Sequence, residues 1–281
     1  MNRLGANSNK AKIARRVIEV LEYFDANHQE ATVMDIVRRY DRPQSSTSEL
    51  LQSLVEYGLL YKNPTTRLYR PTPRAALIGT SGQPEPVRDG TLVRLIDGLA
   101  SQTGYSVALI GMVDLDAQIY TCRHDPSAPA AVRELSSGRK DPLTRNAVGW
   151  LMLSTFPINR REGMVRRLNS EAPENFKFPH SEMMAQIESV EGQGFALGPA
   201  GFGSKAFGLS ALLPRQIYDR PMAVSLIIPH TELVRQDELR NILVEAVEAC
   251  RSECTIEEPE FLVTPFDQHA TPDHHVSGLT G

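Results

Sequence analysis

The chain has 281 residues, of which 41% are hydrophobic and 23% charged, with a net charge of −4 at pH 7. That is the make-up of an ordinary soluble protein of one or two domains. No run of about 18 apolar residues occurs, which excludes a transmembrane helix and any membrane partner of that kind. The polar first nine residues lack the apolar core of a signal peptide. Three cysteines, Cys122, Cys250 and Cys254, are too few and too odd in number for a disulfide framework, so the expected location is cytoplasmic with free thiols.

The charge is unevenly spread. Residues 1–75 carry 12 basic side chains against 8 acidic ones, and the remainder 18 against 26. A basic head on an acidic body confines a nucleic-acid footprint to one end. The excess is modest, so useful affinity calls for two heads acting together.

Taken in order, Ile13, Val17, Val20, Leu21 and Phe24 repeat at helical spacing and predict a first helix over residues 10–26, with Lys12, Arg15 and Arg16 on its polar side. Thr32 has N-cap chemistry for a two-turn helix through Val33, Ile36, Val37 and Tyr40. The segment Tyr40-Asp41-Arg42 breaks the pattern. Pro43 then opens a second helix, whose apolar stripe is Thr47, Leu50, Leu51, Leu54 and Val55 and whose end is Gly58. Gln44, Ser45, Ser48, Glu49, Gln52 and Glu56 lie on the other face. Short hydroxyls and amides suit phosphates and base edges, and a glutamine can bond both N6 and N7 of adenine. Two short strands around Asn63-Pro64-Thr65-Thr66 carry Lys62, Arg67 and Arg70. Helix, turn, helix and basic hairpin in this order predict a winged helix-turn-helix over residues 10–74.

Expected phosphate contacts are Arg38, Arg39, Arg42, Lys62, Arg67 and Arg70; expected base contacts are Gln44, Ser45, Ser48 and Gln52, with Ser46 beside them. A Gly/Ser/Pro-rich break at residues 79–86 marks a linker, placed at residues 75–90.

A second domain is expected over residues 91–254. Helices are predicted at residues 91–103, 146–156, 159–169 and 236–254, and one more is capped by His180-Ser181. Strands are predicted at residues 105–113, 118–123, 195–197, 207–213 and 222–228, and residues 138–143 read as a loop. Helices flanking an antiparallel sheet make an α+β sensor-type domain. Residues 255–281 lack periodicity and are read as a disordered tail.

Competing chemistry is weak. Gly201-Phe202-Gly203-Ser204-Lys205-Ala206 fits the dinucleotide pattern but precedes a strand rather than a helix, and the P-loop spacing fails as well. Cys122 with His124 is read as diverging on an extended strand. His269, Asp273, His274 and His275 lie in the expected tail. No catalytic set, metal site or cofactor is predicted. The alternatives kept are a DNA-organising protein without an effector and a small-molecule enzyme using Cys122 and His124.

From about Ala11 to Glu253 the chain resembles the IclR family of bacterial transcription regulators. The likeness rests on Val33–Leu60 with Arg42-Pro43-Gln44-Ser45-Ser46-Thr47, on Arg67 through Arg74, on Gly138 through Leu153, and on Glu188-Ser189-Val190 with Gly194-Phe195-Ala196 followed by Gly208-Leu209-Ser210-Ala211. The resemblance implies a GAF-like effector domain, a homodimer or dimer of dimers on a pseudo-palindromic double-stranded operator, and control by a small metabolite. By the same resemblance the effector pocket takes in Cys122, Gly138, Asp141, Thr144, Asn146, Ala147 and Ser210; Trp150 is added as an expected apolar wall. The chain departs from the family pattern at Thr144, Asn146 and Trp150, where His, Thr and Lys are usual, and at Glu49, where a basic residue is frequent. The helix starting near Thr144–Asn146, with Arg139, Lys140 and Arg145 nearby, predicts an organic or aromatic carboxylate bound at its N-terminus, Trp150 favouring an aromatic one.

Overall fold

The computed structural model describes residues 9–25, 27–124, 132, 135–214 and 220–254. The expected tail and its histidines lie outside these.

In the head, α1 (Asn9–Tyr23), α2 (Val33–Tyr40) and α3 (Gln44–Glu56) precede a hairpin of β1 (Leu60–Lys62) and β2 (Tyr69–Pro71). Thr32 caps α2 as predicted: its Oγ1 accepts from the Asp35 amide at 3.2 Å, and Asp35 Oδ2 accepts from the Thr32 amide at 2.8 Å. This reciprocal capping box satisfies two otherwise orphaned donors. Asp41 ends α2 in the left-handed region. Pro43 stands at the N-cap of α3, one position before the first helical turn where the sequence placed it. Gly58, at φ +70°, turns the chain into the wing. Val20, Ile36, Leu51, Leu54, Leu60 and Tyr69 bury together beneath these elements. Tyr69 also bridges Ala31, so the loop before α2 is tied to the wing.

The linker region is not extended. It holds α4 (Pro73–Leu77), a 3-10 turn (Thr80–Gly82) and α5 (Glu85–Arg88).

The body begins with α6 (Thr91–Thr103). Its sheet has the order β5-β4-β3-β8-β7-β6, antiparallel throughout. The strands are β3 (Ser106–Val113), β4 (Asp116–Arg123), β5 (Lys140–Pro142), β6 (Phe195–Gly201), β7 (Ser204–Leu212) and β8 (Met222–Ile228). Helices α7 (Ala147–Ser154), α8 (Ile158–Glu171) and α9 (His180–Val190) cover one face, and α6 with α10 (Gln236–Cys254) covers the other. The central strand β8 is buried along its whole length, as expected of a strand with helices on both sides.

Three expectations are corrected here. Residues 140–142 form an edge strand rather than part of a loop; its proline is tolerated because an edge needs fewer donors. Strands β6 and β7 run on to Gly201 and from Ser204, joined by a tight turn with Phe202 at φ 54° and Gly203 at φ 80°. Pro179 rather than His180 stands at the N-cap of α9, with no side-chain cap.

Candidate functional site

Helix α3 buries Thr47, Leu51 and Leu54 and leaves Gln44, Ser45, Ser48, Glu49 and Gln52 exposed. Gln52 Nε2 donates to Glu56 Oε1 at 3.4 Å. Ser46 is half-buried; its hydroxyl accepts from Arg16 at 3.2 Å, which ties α1 to the start of α3. Arg38 and Arg39 are exposed in the last turn of α2. The Arg42 guanidinium pairs with Glu19 at 3.2 Å, while the Tyr40 hydroxyl donates to the Glu19 carbonyl at 2.7 Å. On the wing, Lys62 Nζ lies 5.0 Å from the Tyr69 ring and the Arg70 guanidinium 5.0 Å from the Tyr61 ring, cation–π contacts that steady both cations. Asn63 Oδ1 accepts from the amides of Thr65 and Thr66, and Arg67 follows in the left-handed region.

In the body, two residues far apart in sequence share one line across the sheet. Cys122 pairs with Ala108, Ala108 with Ser225, Ser225 with Ser210, and Ser210 with Ala196. The register shift in β4, with Tyr120 as the extra residue, brings Cys122 into phase with this row. The row faces α7, where Ala147 and Leu151 pack on Ala196. The Ser210 hydroxyl donates to that of Ser225 at 2.9 Å, both buried. Two hydroxyls joined by one bond keep one donor in reserve. Over the neighbouring Gly198, a Cβ would come within 2.8 Å of the Trp150 ring and 3.2 Å of the Ala147 Cβ. Only glycine fits under that indole.

The remaining expected effector residues divide. Asn146 caps α7, its Oδ1 accepting from the Gly149 amide at 2.7 Å. Its Nδ2 donates to Asp141 Oδ2 at 3.0 Å and to the Pro142 carbonyl at 3.1 Å. Trp150 Nε1 donates to the Thr144 carbonyl at 3.0 Å. Thr144 lines a different cavity, against the turn between β3 and β4. Gly138 sits exposed beside β5, its amide donating to the Ile119 carbonyl at 2.7 Å, and does not join the row. Ser225 was missed in the sequence. The signal was a lone hydroxyl inside the apolar run Met222–Ile228.

The glycine-rich pattern at Gly201 is a strand–turn–strand hairpin, which has no helix terminus to receive a pyrophosphate. Cys122 and His124 do not diverge as read from the sequence: His124 follows the end of β4, and Sγ lies 3.8 Å from Nδ1. Burial, however, pushes the Cys122 thiol up to about 12, with Arg123 only partly offsetting it. A thiol so held is protonated at neutral pH and is not a ready nucleophile. Among the described residues no group of three or more His, Cys, Asp and Glu could hold a metal ion, and no helix is long and apolar enough to cross a membrane.

Residues 14–64 match the IclR helix-turn-helix domain. A search of curated protein sequences finds no match. Among solved structures, the chain is similar to the IclR of Thermotoga maritima at a TM-score of 0.58 and 16% identity, covering 86% of this chain and 98% of that one. It is similar to an IclR homolog of Microbacterium hydrocarbonoxydans complexed with 4-hydroxybenzoate at a TM-score of 0.57 and 16% identity, covering 86% and 98%. The IclR effector domain from Acinetobacter sp. ADP1 is similar at a TM-score of 0.51 and 22% identity, covering 57% of this chain and 93% of that one. The helix-turn-helix and the helix-flanked antiparallel sheet together are the fold of IclR structures.

Proposed function

We propose that this chain, which belongs by its head domain to the IclR family of transcription regulators and shares that family's fold, binds a pseudo-palindromic operator as a dimer or dimer of dimers under the control of a small organic or aromatic acid. The observation that carries the DNA half is α3, with its buried stripe turned to the core and Gln44, Ser45, Ser48 and Gln52 turned out. Arg38, Arg39, Lys62, Arg67 and Arg70 flank it as phosphate contacts. Dimer formation is supported by apolar side chains left exposed on α1 and at the end of α4, namely Ile13, Ile18, Leu77 and Ile78. Such a regulator acts in the cytoplasm.

The effector half rests on the sheet row. The spare hydroxyl donor of the Ser210–Ser225 pair suits a carboxylate oxygen, and Cys122 and Trp150 offer apolar walls. The similar Microbacterium protein carries an aromatic acid, which supports the same class here. Because Asn146 already accepts from the Gly149 amide, the acid's carboxylate is assigned to the serine pair rather than to the start of α7.

Two measurements test this. Footprinting on genomic fragments should protect two half-sites about one helical turn apart, with affinity falling steeply with salt. Protection of a single asymmetric half-site sinks the dimer reading. Thermal unfolding of the full chain with 4-hydroxybenzoate or benzoate should rise with ligand, by about 2.7 kcal/mol at 100 times the dissociation constant, and Ser225→Ala should remove the rise. If no acid stabilises the chain although it binds DNA, a DNA-organising role without an effector is the better reading.

A further inference from the structure

The turn between β3 and β4, the 3-10 turn Leu143–Arg145 and the end of α8 enclose a cavity of about 280 Å³ that shares no residue with the sheet row. Its walls are of two kinds. Leu115, Pro142, Leu168, Pro173 and Phe176 give it apolar walls, and the carboxylates of Asp114, Asp116 and Glu171 line it as well. Two of these, Asp114 and Glu171, share one cation: Arg167 lies 3.6 Å from the first and 2.9 Å from the second. The cavity's arginine, Arg145, is also committed, stacked 3.9 Å from the Phe176 ring and 3.9 Å from Asp141.

Asp116 is different. It is half-buried and has no hydrogen-bond or ion-pair partner among the described residues. Burial is the main cause raising its pKa, with Asp114, Asp141 and Glu171 adding to it against the pull of Lys140. Thr144, only 6% exposed, lines the same cavity, and its hydroxyl has no partner among the described residues. A hydroxyl that lines a cavity without a partner is free to accept from a donor placed there. A carboxylate outside any ion pair and an unused hydroxyl, lining the same partly apolar cup, suit an ammonium group on a small carbon skeleton.

We propose that this cavity is a second ligand site, which binds a small organic amine through its ammonium group, held by the Asp116 carboxylate and the Thr144 hydroxyl, with its carbon skeleton against Phe176 and Leu168. An anion is disfavoured, because three carboxylates line the cavity against one arginine that is already engaged. The volume lies just under the usual range for drug-sized ligands, so the ligand is small.

Calorimetric titration of the full chain at low salt with n-butylamine, cyclohexylamine and benzylamine tests the assignment, with benzyl alcohol as an uncharged isostere. At least one amine should saturate a single site, and benzyl alcohol should bind at least about tenfold more weakly than benzylamine. D116N should abolish the preference for the amine, and T144V should weaken binding, while both variants keep the unfolding temperature of the parent chain to within a few degrees. Saturating 4-hydroxybenzoate should leave amine binding unchanged, so this site stands or falls apart from the proposed acid site. Absence of saturation by all three amines, or equal amine affinity in D116N and the parent, overturns the proposal.

Discussion

Asp141 and Asn146 hold one another in the interior, Oδ2 to Nδ2 at 3.0 Å, and Asn146 passes that order on by capping α7 at the Gly149 amide. Both side chains are buried. Removing the amide costs the cap, about 1 kcal/mol, and leaves the buried Asp141 carboxylate with only the long Arg145 pair at 3.9 Å, for a further 1–3 kcal/mol or so. Asn146→Ala should therefore lower the unfolding free energy by about 2–4 kcal/mol in urea titration. Asn146→Asp keeps the capping acceptor but sets two carboxylates side by side. Its deficit should be large at pH 7 and shrink in acid, where one of them takes up a proton. An equal deficit at both pH values shows that the pair is not what orders the loop.

How far this was legible from sequence follows from where each signal lies. Helix α6 and strand β8 have the predicted ends, and so does α10, because glycine stops, N-terminal acids and unbroken apolar periods are local. Strand β5 is three residues long, ends in proline and has no alternation to read. The hydroxyl row depends on register between strands, including a shift at Tyr120, and register is not written in any one strand. The same holds for Arg42, predicted on a phosphate. Its partner Glu19 is 23 positions away, on α1.

The two glycines Gly149 and Gly163 should respond in opposite ways to alanine. A Cβ at Gly149 would fall 2.0 Å from the Leu143 carbonyl oxygen, which is backbone and cannot step aside. Gly149→Ala should cost about 4 kcal/mol or more, or leave the protein insoluble. At Gly163, exposed in the middle of α8, nothing lies within 4 Å. Gly163→Ala should stabilise by about 0.5–1 kcal/mol through lost freedom in the unfolded chain. Thermal unfolding of the two variants beside the parent reads both signs at once.

Cys122 should be nearly inert in the folded protein. With its thiol pushed up to about 12 by burial, the thiolate fraction at pH 8 is about a thousandfold below that of a free cysteine. Alkylation by iodoacetamide, followed peptide by peptide by mass spectrometry, should label Cys122 only in denaturant. Rapid native labelling would falsify the burial argument and reopen the thiol-enzyme reading.

On DNA, the exposed amide of Gln52 and the wing cation Arg70 should separate specificity from affinity. Gln52→Ala should cost about 1–3 kcal/mol on the best operator and much less on random DNA. Arg70→Ala should weaken both alike and lower the salt slope by about one. Fluorescence anisotropy at several salt concentrations distinguishes the two. Equal losses on both DNAs for Gln52→Ala would remove it from base reading.

The last test concerns a buried cation. Arg161, 2% exposed, reaches Glu191 with two bonds of 2.8 and 2.6 Å and the Ser154 and Phe156 carbonyls at 2.9 and 3.1 Å, so one side chain ties the end of α7 to the end of α9. The hydrogen bonds from Arg161 hold the Glu191 carboxyl below its ordinary value of 4.5. A carboxylate held low contributes stability that is fully present above its unfolded pKa and is lost as pH falls through the folded one. Glu191→Gln should therefore lower the unfolding temperature at pH 7, and the gap to the parent should close on acidification below 4.5. Glu191 is half exposed, so water shares in screening the pair and the shift is modest. Arg161→Met also strips the two carbonyls of their donor, a loss independent of pH across this range. A double-mutant cycle of the two should show coupling at pH 7 that vanishes in acid. Coupling that is unchanged in acid means that packing, not charge, joins the two helices.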